Sequence, residues 1–142
     1  MSRIYWDSMI FIYWLEDHPQ YARRVAEIRS RMKERHDDLI TSSFTFGEIL
    51  AGLYRTPSGD DLATDTRRKL EITVSEVIPF DVAAADHYAR IRGRLGVAPA
   101  DAIHLASAAQ ANTDLFLTND KRLLGKIVPG IQFFASLETA FL

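Results

Sequence analysis

The feature that most constrains this chain is a helix with almost no polar face. Pro99-Ala100-Asp101-Ala102-Ile103-His104-Leu105-Ala106-Ser107-Ala108-Ala109 opens with a residue suited to the first helical position and continues rich in alanine. A helix that is apolar nearly all round has to be buried. After a turn at Asn112-Thr113-Asp114, Leu115 to Thr118 reads as a buried strand, and Asp120 follows its end. The strand begins where the helix ends, so the helix begins near the edge where the strand ends. Asp101 lies in the first turn of the helix, where the dipole favours a carboxylate. Asp101 and Asp120 therefore approach one edge of a sheet, at the carboxyl ends of its strands, where open α/β folds place their ligands.

The rest of the chain fits that frame. Ile4-Tyr5-Trp6 reads as a first strand ending at Asp7, and Met9 to Leu15 is an unbroken apolar run, read as a short covered helix. A second helix is expected from about Gln20 to Arg35, with Tyr21, Val25, Ile28 and Met32 as its apolar stripe. Leu39 to Thr41 reads as a strand. Thr45-x-x-Glu48 resembles a capping box opening a helix to about Tyr54. A polar helix from Asp60 to about Thr73 and a strand from Val77 to Phe80 follow. Asp81 then caps a helix with the stripe Ala84, Tyr88, Ile91 and Leu95, which Gly96 ends. Beyond Asp120 come a helical turn at Lys121–Leu124, a last strand at Ile131–Phe134 and a closing helical turn at Leu137–Phe141. Strands alternating with helices predict a parallel sheet in an α/β fold. At 142 residues, residues 1–142 are expected to form one domain with a sizeable core.

Composition narrows the function. A net charge of −2 supplies no global basic field, so a nucleic-acid substrate would need a local basic rim. The absence of cysteine removes disulfides, thiolate metal sites and cysteine nucleophiles together. Asp7 interrupts the apolar amino terminus, and no apolar run reaches the roughly 18 residues of a membrane helix. The expectation is a cytoplasmic protein with no membrane partner.

Four acids share the one sheet edge: Asp7 and Asp120 after strand ends, Glu48 and Asp101 in helix openings. Each has a structural alternative, since Asp7 can cap the helix after it and Glu48 can close its capping box. Together they form a repulsive cluster, with two carboxylates about 4 Å apart costing about 4 kcal/mol at an effective dielectric near 20. A hard divalent cation relieves this, and oxygen-only ligands favour Mg²⁺ or Mn²⁺ over zinc. An open acidic site of this kind suits phosphoryl transfer.

Asp7-Ser8 after the first strand, Glu48 after the second, the Pro99–Ala108 stretch and Leu117-Thr118-Asn119-Asp120-Lys121-Arg122-Leu123 together resemble the PIN-domain ribonucleases, in particular VapC-type toxins of toxin–antitoxin pairs. The resemblance runs from Ile4 to about Phe134. It implies a three-layer α/β/α fold with a five-stranded parallel sheet. It also implies a Mg²⁺ or Mn²⁺ site at Asp7, Glu48, Asp101 and Asp120, an RNA substrate, a homodimer and a cognate antitoxin. In that reading Asp7 and Asp101 anchor the main ion, while Glu48 and Asp120 hold its waters or a second one. Ser8, Thr118 and Asn119 are supporting candidates, with backbone-satisfying roles as the alternative. Arg90, Arg94, Lys121 and Arg122 are candidates for an RNA rim, or else an ordinary solvated face. His104, one turn after Asp101, either faces the cleft or is a surface or hydrogen-bonded histidine. Phe11, Trp14 and Tyr54 are expected in the core, with part of that surface open to an antitoxin helix. Two rivals stand beside this one. A phospho-receiver domain shares the α/β pattern but would want an acidic pair at the end of the first strand and a lysine at the end of the last, whereas Asp7 is flanked by Trp6 and Ser8 and Ile131 to Ala135 has no lysine. A PIN fold kept only for binding would have no need of the full acid set.

Overall fold

The structure is a computed structural model that describes residues 1–139; the expected closing turn at Leu137–Phe141 lies partly outside them. Five strands, β1 (Arg3–Trp6), β2 (Asp38–Ser42), β3 (Glu76–Ile78), β4 (Thr113–Leu117) and β5 (Ile131–Ala135), form one sheet. Six helices accompany them among the described residues: α1 (Ser8–Leu15), α2 (Ala22–Arg35), α3 (Ser43–Tyr54), α4 (Gly59–Thr73), α5 (Val82–Leu95) and α6 (Pro99–Gln110). The strand order is β3-β2-β1-β4-β5 and every pairing is parallel. The fold is three-layered, helices covering both sheet faces. A receiver domain would have a flavodoxin-like 2-1-3-4-5 order, so that rival is excluded by topology.

Alternation along β1 divides the core. Ile4 and Trp6 point to one face, where they join Ile10, Phe11, Val25, Ile28, Met32 and Leu70. Tyr5 points to the other, among Ile91, Leu105, Ala106 and Phe116, with its ring stacked on Phe116 at 4.9 Å. Every residue of α6 from Leu105 to Ala109 is buried, as its apolar circumference requires. Small side chains there permit close approach. A Cβ on Gly130 would stand 2.6 Å from the Ala109 carbonyl oxygen, and its φ of +98° suits glycine alone.

The chain builds β1, β2 and β3 outward to one side, then crosses to β4 and β5 on the other. The strand order thus reverses between β1 and β4, which opens a crevice at their carboxyl ends. Leu117 pairs with Trp6 in that register, so Asp7 and Thr118 emerge side by side. Most expected elements agree to within a few residues. The differences lie at ends: β3 stops at Ile78, leaving Phe80 43% exposed, and α3 starts at Ser43 rather than Thr45. Tyr54, expected in the core, is 56% exposed on the last turn of α3, whereas Phe11 is fully buried. No helix of the described residues is long and apolar enough to cross a membrane.

Candidate active site

Asp7 follows β1 and caps α1, its Oδ1 accepting from the Ile10 N–H at 3.3 Å. Capping uses only one of its oxygens. Oδ2 accepts the Thr118 hydroxyl at 2.5 Å, and the same hydroxyl accepts the Asp120 N–H at 3.1 Å. Burial pushes the Asp7 carboxyl above its ordinary range, against the Thr118 hydrogen bond. The strand-end hydroxyl therefore links the two acids that follow β1 and β4.

Glu48 is not a capping residue. Ser42 caps α3, accepting from the Thr45 N–H at 3.1 Å, and the Thr45 hydroxyl turns inward to receive the Thr41 hydroxyl at 2.7 Å. Residue 48 therefore falls in the second turn, beyond reach of the helix start, and the expected capping box does not form. A second strand longer by one residue at its end moved the cap three positions upstream. What Glu48 does instead is accept from Ser8 Oγ at 2.5 Å and from His104 Nε2 at 2.6 Å, both on Oε1. Burial pushes its carboxyl up, but these two hydrogen bonds and the neighbouring His104 outweigh burial and hold it below the usual range.

His104 is the residue whose importance the sequence understates. It is 5% exposed, and its Nδ1 bonds the hydroxyl of fully buried Tyr5 at 2.8 Å. Nε2 carries a hydrogen here, because an ionised carboxylate can only accept. The chain Tyr5–His104–Glu48–Ser8 thus joins β1, α6, α3 and α1. A histidine in so apolar a helix, one turn from Asp101, was the available signal.

Asp101 sits in the first turn of α6 after Pro99, and Ala98 rather than Asp101 occupies the cap. Its carboxyl is pushed up by burial and by the like charges of Asp120 and Glu48, with Arg122 opposing. Asp120 accepts the Arg122 N–H at 3.0 Å and the Arg122 guanidinium at 3.0 and 2.8 Å, and these bonds hold its carboxyl below the usual range. Asp7, Ser8, Glu48, Asp101, His104, Asn119 and Asp120 line one open cleft of about 420 Å³, joined on α1 by Met9, Ile12 and Tyr13.

All four expected acids and the supporting Ser8, Thr118 and Asn119 therefore meet at the switch point. Arg122 is drawn onto the acids themselves, while Lys121 stays exposed beside it. Arg90 and Arg94 are not brought to the cleft. They line a separate cavity with His87, Ile127, Val128 and Pro129, and Arg90 pairs with Asp86 on its own helix at 2.5 Å. The helical stagger that places Asp86 four residues before Arg90 explains this.

As placed, no three Asp, Glu or His side chains among the described residues are close enough to grip a metal ion. The donor set nevertheless fits one. It is all carboxylate and hydroxyl oxygen apart from an imidazole already committed on both nitrogens, and two of its carboxyls are pushed upward, Asp7 by burial and Asp101 by burial and the like charge of Asp120. That chemistry suits a hard divalent ion.

An acidic crevice at the switch point of a parallel α/β sheet defines the class. Residues 4–127 match the model of the PIN domain, and the chain belongs to that family. No protein of curated function matches the sequence. Among solved structures, the fold is similar to a chain of DNA-bound VapBC from Salmonella typhimurium, at 22% identity over 96% of this chain and 99% of that one, with a TM-score of 0.73. A chain of VapBC2 from Rickettsia felis, bound to a promoter DNA fragment, aligns at 16% identity over 94% and 98%, TM-score 0.73. A toxin–antitoxin complex from Klebsiella pneumoniae aligns at 21% over 90% and 94%, TM-score 0.64.

Proposed function

We propose that this chain is a metal-dependent endoribonuclease that hydrolyses RNA phosphodiester bonds as the toxin of a toxin–antitoxin pair. The observation that carries the nuclease reading is the convergence of Asp7, Glu48, Asp101 and Asp120 on one open cleft of a PIN fold. Asp7, Asp101, Glu48 and Asp120 would hold Mg²⁺ or Mn²⁺, which supplies charge neutralisation and an activated water for phosphodiester hydrolysis. The chain's own part is positioning. Thr118 fixes Asp7, while Ser8 and His104 fix Glu48 through Oε1 and leave its second oxygen uncommitted. Asn119 lines the cleft, and exposed Lys121, next in sequence after Asp120, would supply positive charge to a phosphate backbone.

The toxin reading rests on likeness to VapBC chains and on a second feature of the surface. Ile12, Leu15, Ile49, Leu53 and Leu62 line a groove between α1, α3 and α4 that reaches Glu48. An antitoxin helix fits such a groove by its apolar face and would close the cleft beside it. A homodimer and a cytoplasmic site of action belong to the same proposal.

The test is incubation of purified protein with total cellular RNA in Mg²⁺, Mn²⁺ or EDTA, with mapping of the new ends. Discrete cleavages with either ion and none in EDTA are expected. An identical pattern in EDTA, or no cleavage with any ion, would overturn the reading.

A further inference from the structure

Arg122 places its positive charge between two acids of the cleft, Asp101 and Asp120. Its guanidinium grips Asp120 through Nε to Oδ1 at 3.0 Å and Nη2 to Oδ2 at 2.8 Å, and Nη2 lies 3.8 Å from Asp101 Oδ2. Both oxygens of Asp120 are thereby taken, and Oδ1 also accepts the Arg122 backbone N–H. The side chain is 78% exposed and no buried group holds it, so it can leave at little cost to packing. The two acids it spans are on different elements, the start of α6 and the turn after β4. Their oxygens can face a shared ion only if the guanidinium moves away, and a doubly charged ion so close would repel it.

Resting on the metal-site reading above, we propose that Arg122 is a tethered counter-cation of the Asp101–Asp120 gap, which a divalent ion has to displace in order to bind. Arg122 thus competes with the metal and raises the ion concentration at which the site fills. It neutralises the outer acids in the metal-free protein, and the fork geometry of arginine makes it a better occupant than lysine.

The test is Mn²⁺ binding to metal-free protein without RNA, followed by the electron paramagnetic resonance of free Mn²⁺. Arg122→Ala should tighten binding about three- to fivefold, the range expected for releasing an exposed bidentate pair. Arg122→Lys, which keeps the charge but loses the fork, should fall between. Lys121→Ala removes the same charge from the neighbouring residue without touching an acid, and should change affinity less than twofold. In an Asp120→Asn background the added effect of Arg122→Ala should vanish, because the carboxylate that held the guanidinium is gone. Equal tightening by Lys121→Ala and Arg122→Ala would overturn the proposal, showing a general effect of charge. Full tightening that persists in Asp120→Asn would overturn it as well. Absence of Mn²⁺ binding in every protein would instead overturn the metal reading, and the competition with it.

Discussion

The two sides of the cleft are built in different ways. On the inner side, Asp7 and Glu48 are held by hydrogen-bond donors, Thr118 in one case and Ser8 with His104 in the other, all of them buried. On the outer side, Asp101 and Asp120 are each 26% exposed and are balanced by one arginine that is mostly in solvent. Donors locked in the packed interior fix direction, so the inner carboxylates stay aimed. The arginine cancels charge but is weakly anchored. Under the proposed metal-site reading, the inner acids would preorganise the site and the outer ones would govern its filling.

The largest expected effect is on the inner side. Asp7→Asn should reduce cleavage more than about a hundredfold, beyond what loss of an outer-shell partner costs. Its stability carries a separate signature. Burial raises the native Asp7 carboxyl above its ordinary 3.8, so over the interval up to the raised value the native state binds more protons than the unfolded chain. Stability therefore falls as pH rises through that interval, and Asp7→Asn should lack that fall. Melting curves of the two metal-free proteins at several pH values measure this; parallel pH profiles would contradict it.

Glu48 comes next, with the opposite sign. Its lowered carboxyl contributes stability above its ordinary 4.5, lost as pH falls through the lowered value. Glu48→Gln should lower the melting temperature only slightly at neutral pH, losing the contribution of the charge while Oε1 still accepts from His104, yet lose most activity. Glu48→Ala should cost a further 1–3 kcal/mol or so by orphaning the buried His104 donor. In a His104→Leu background that extra cost should disappear. Persistence of the cost would point to a helix-start role that the Ser42 cap excludes.

His104→Gln should lower activity about 10- to 100-fold by releasing Glu48. Mn²⁺ affinity should fall with it, which distinguishes positioning from a role in chemistry alone. Smallest is Arg122→Ala, which should leave the melting temperature unchanged, because the pair it removes is exposed. A marked loss of stability would erase the contrast between the two sides.

Much of this was legible in the sequence because long-range geometry followed from local pattern. The apolar α6 and the strand after it had to run antiparallel, which placed Asp101 and Asp120 at one edge before any coordinates. The alternation of elements gave the α/β class. Sheet order did not follow from pattern, since β4 could have paired elsewhere, and the family resemblance implied only five parallel strands. Glu48 was ambiguous because Thr-x-x-Glu satisfies a local rule, and only the extension of β2 to Ser42 showed that the helix starts earlier. The bonds of His104 to Tyr5 and Glu48 span 99 and 56 positions, and no local pattern encodes them. Arg90 and Arg94 show the same limit in reverse: a basic helix face has no address until packing gives it one, and here both line a cavity apart from the cleft.

Asp101 tests the central claim most directly, because Ala98 rather than Asp101 caps α6 and the Asp101 contact with Arg122, at 3.8 Å, is to an exposed side chain. At one mapped RNA site in Mg²⁺, purified Asp101→Asn should show no cleavage while its melting temperature stays at or above that of wild type. Wild-type cleavage by folded Asp101→Asn would contradict an acid cluster that holds the catalytic ion.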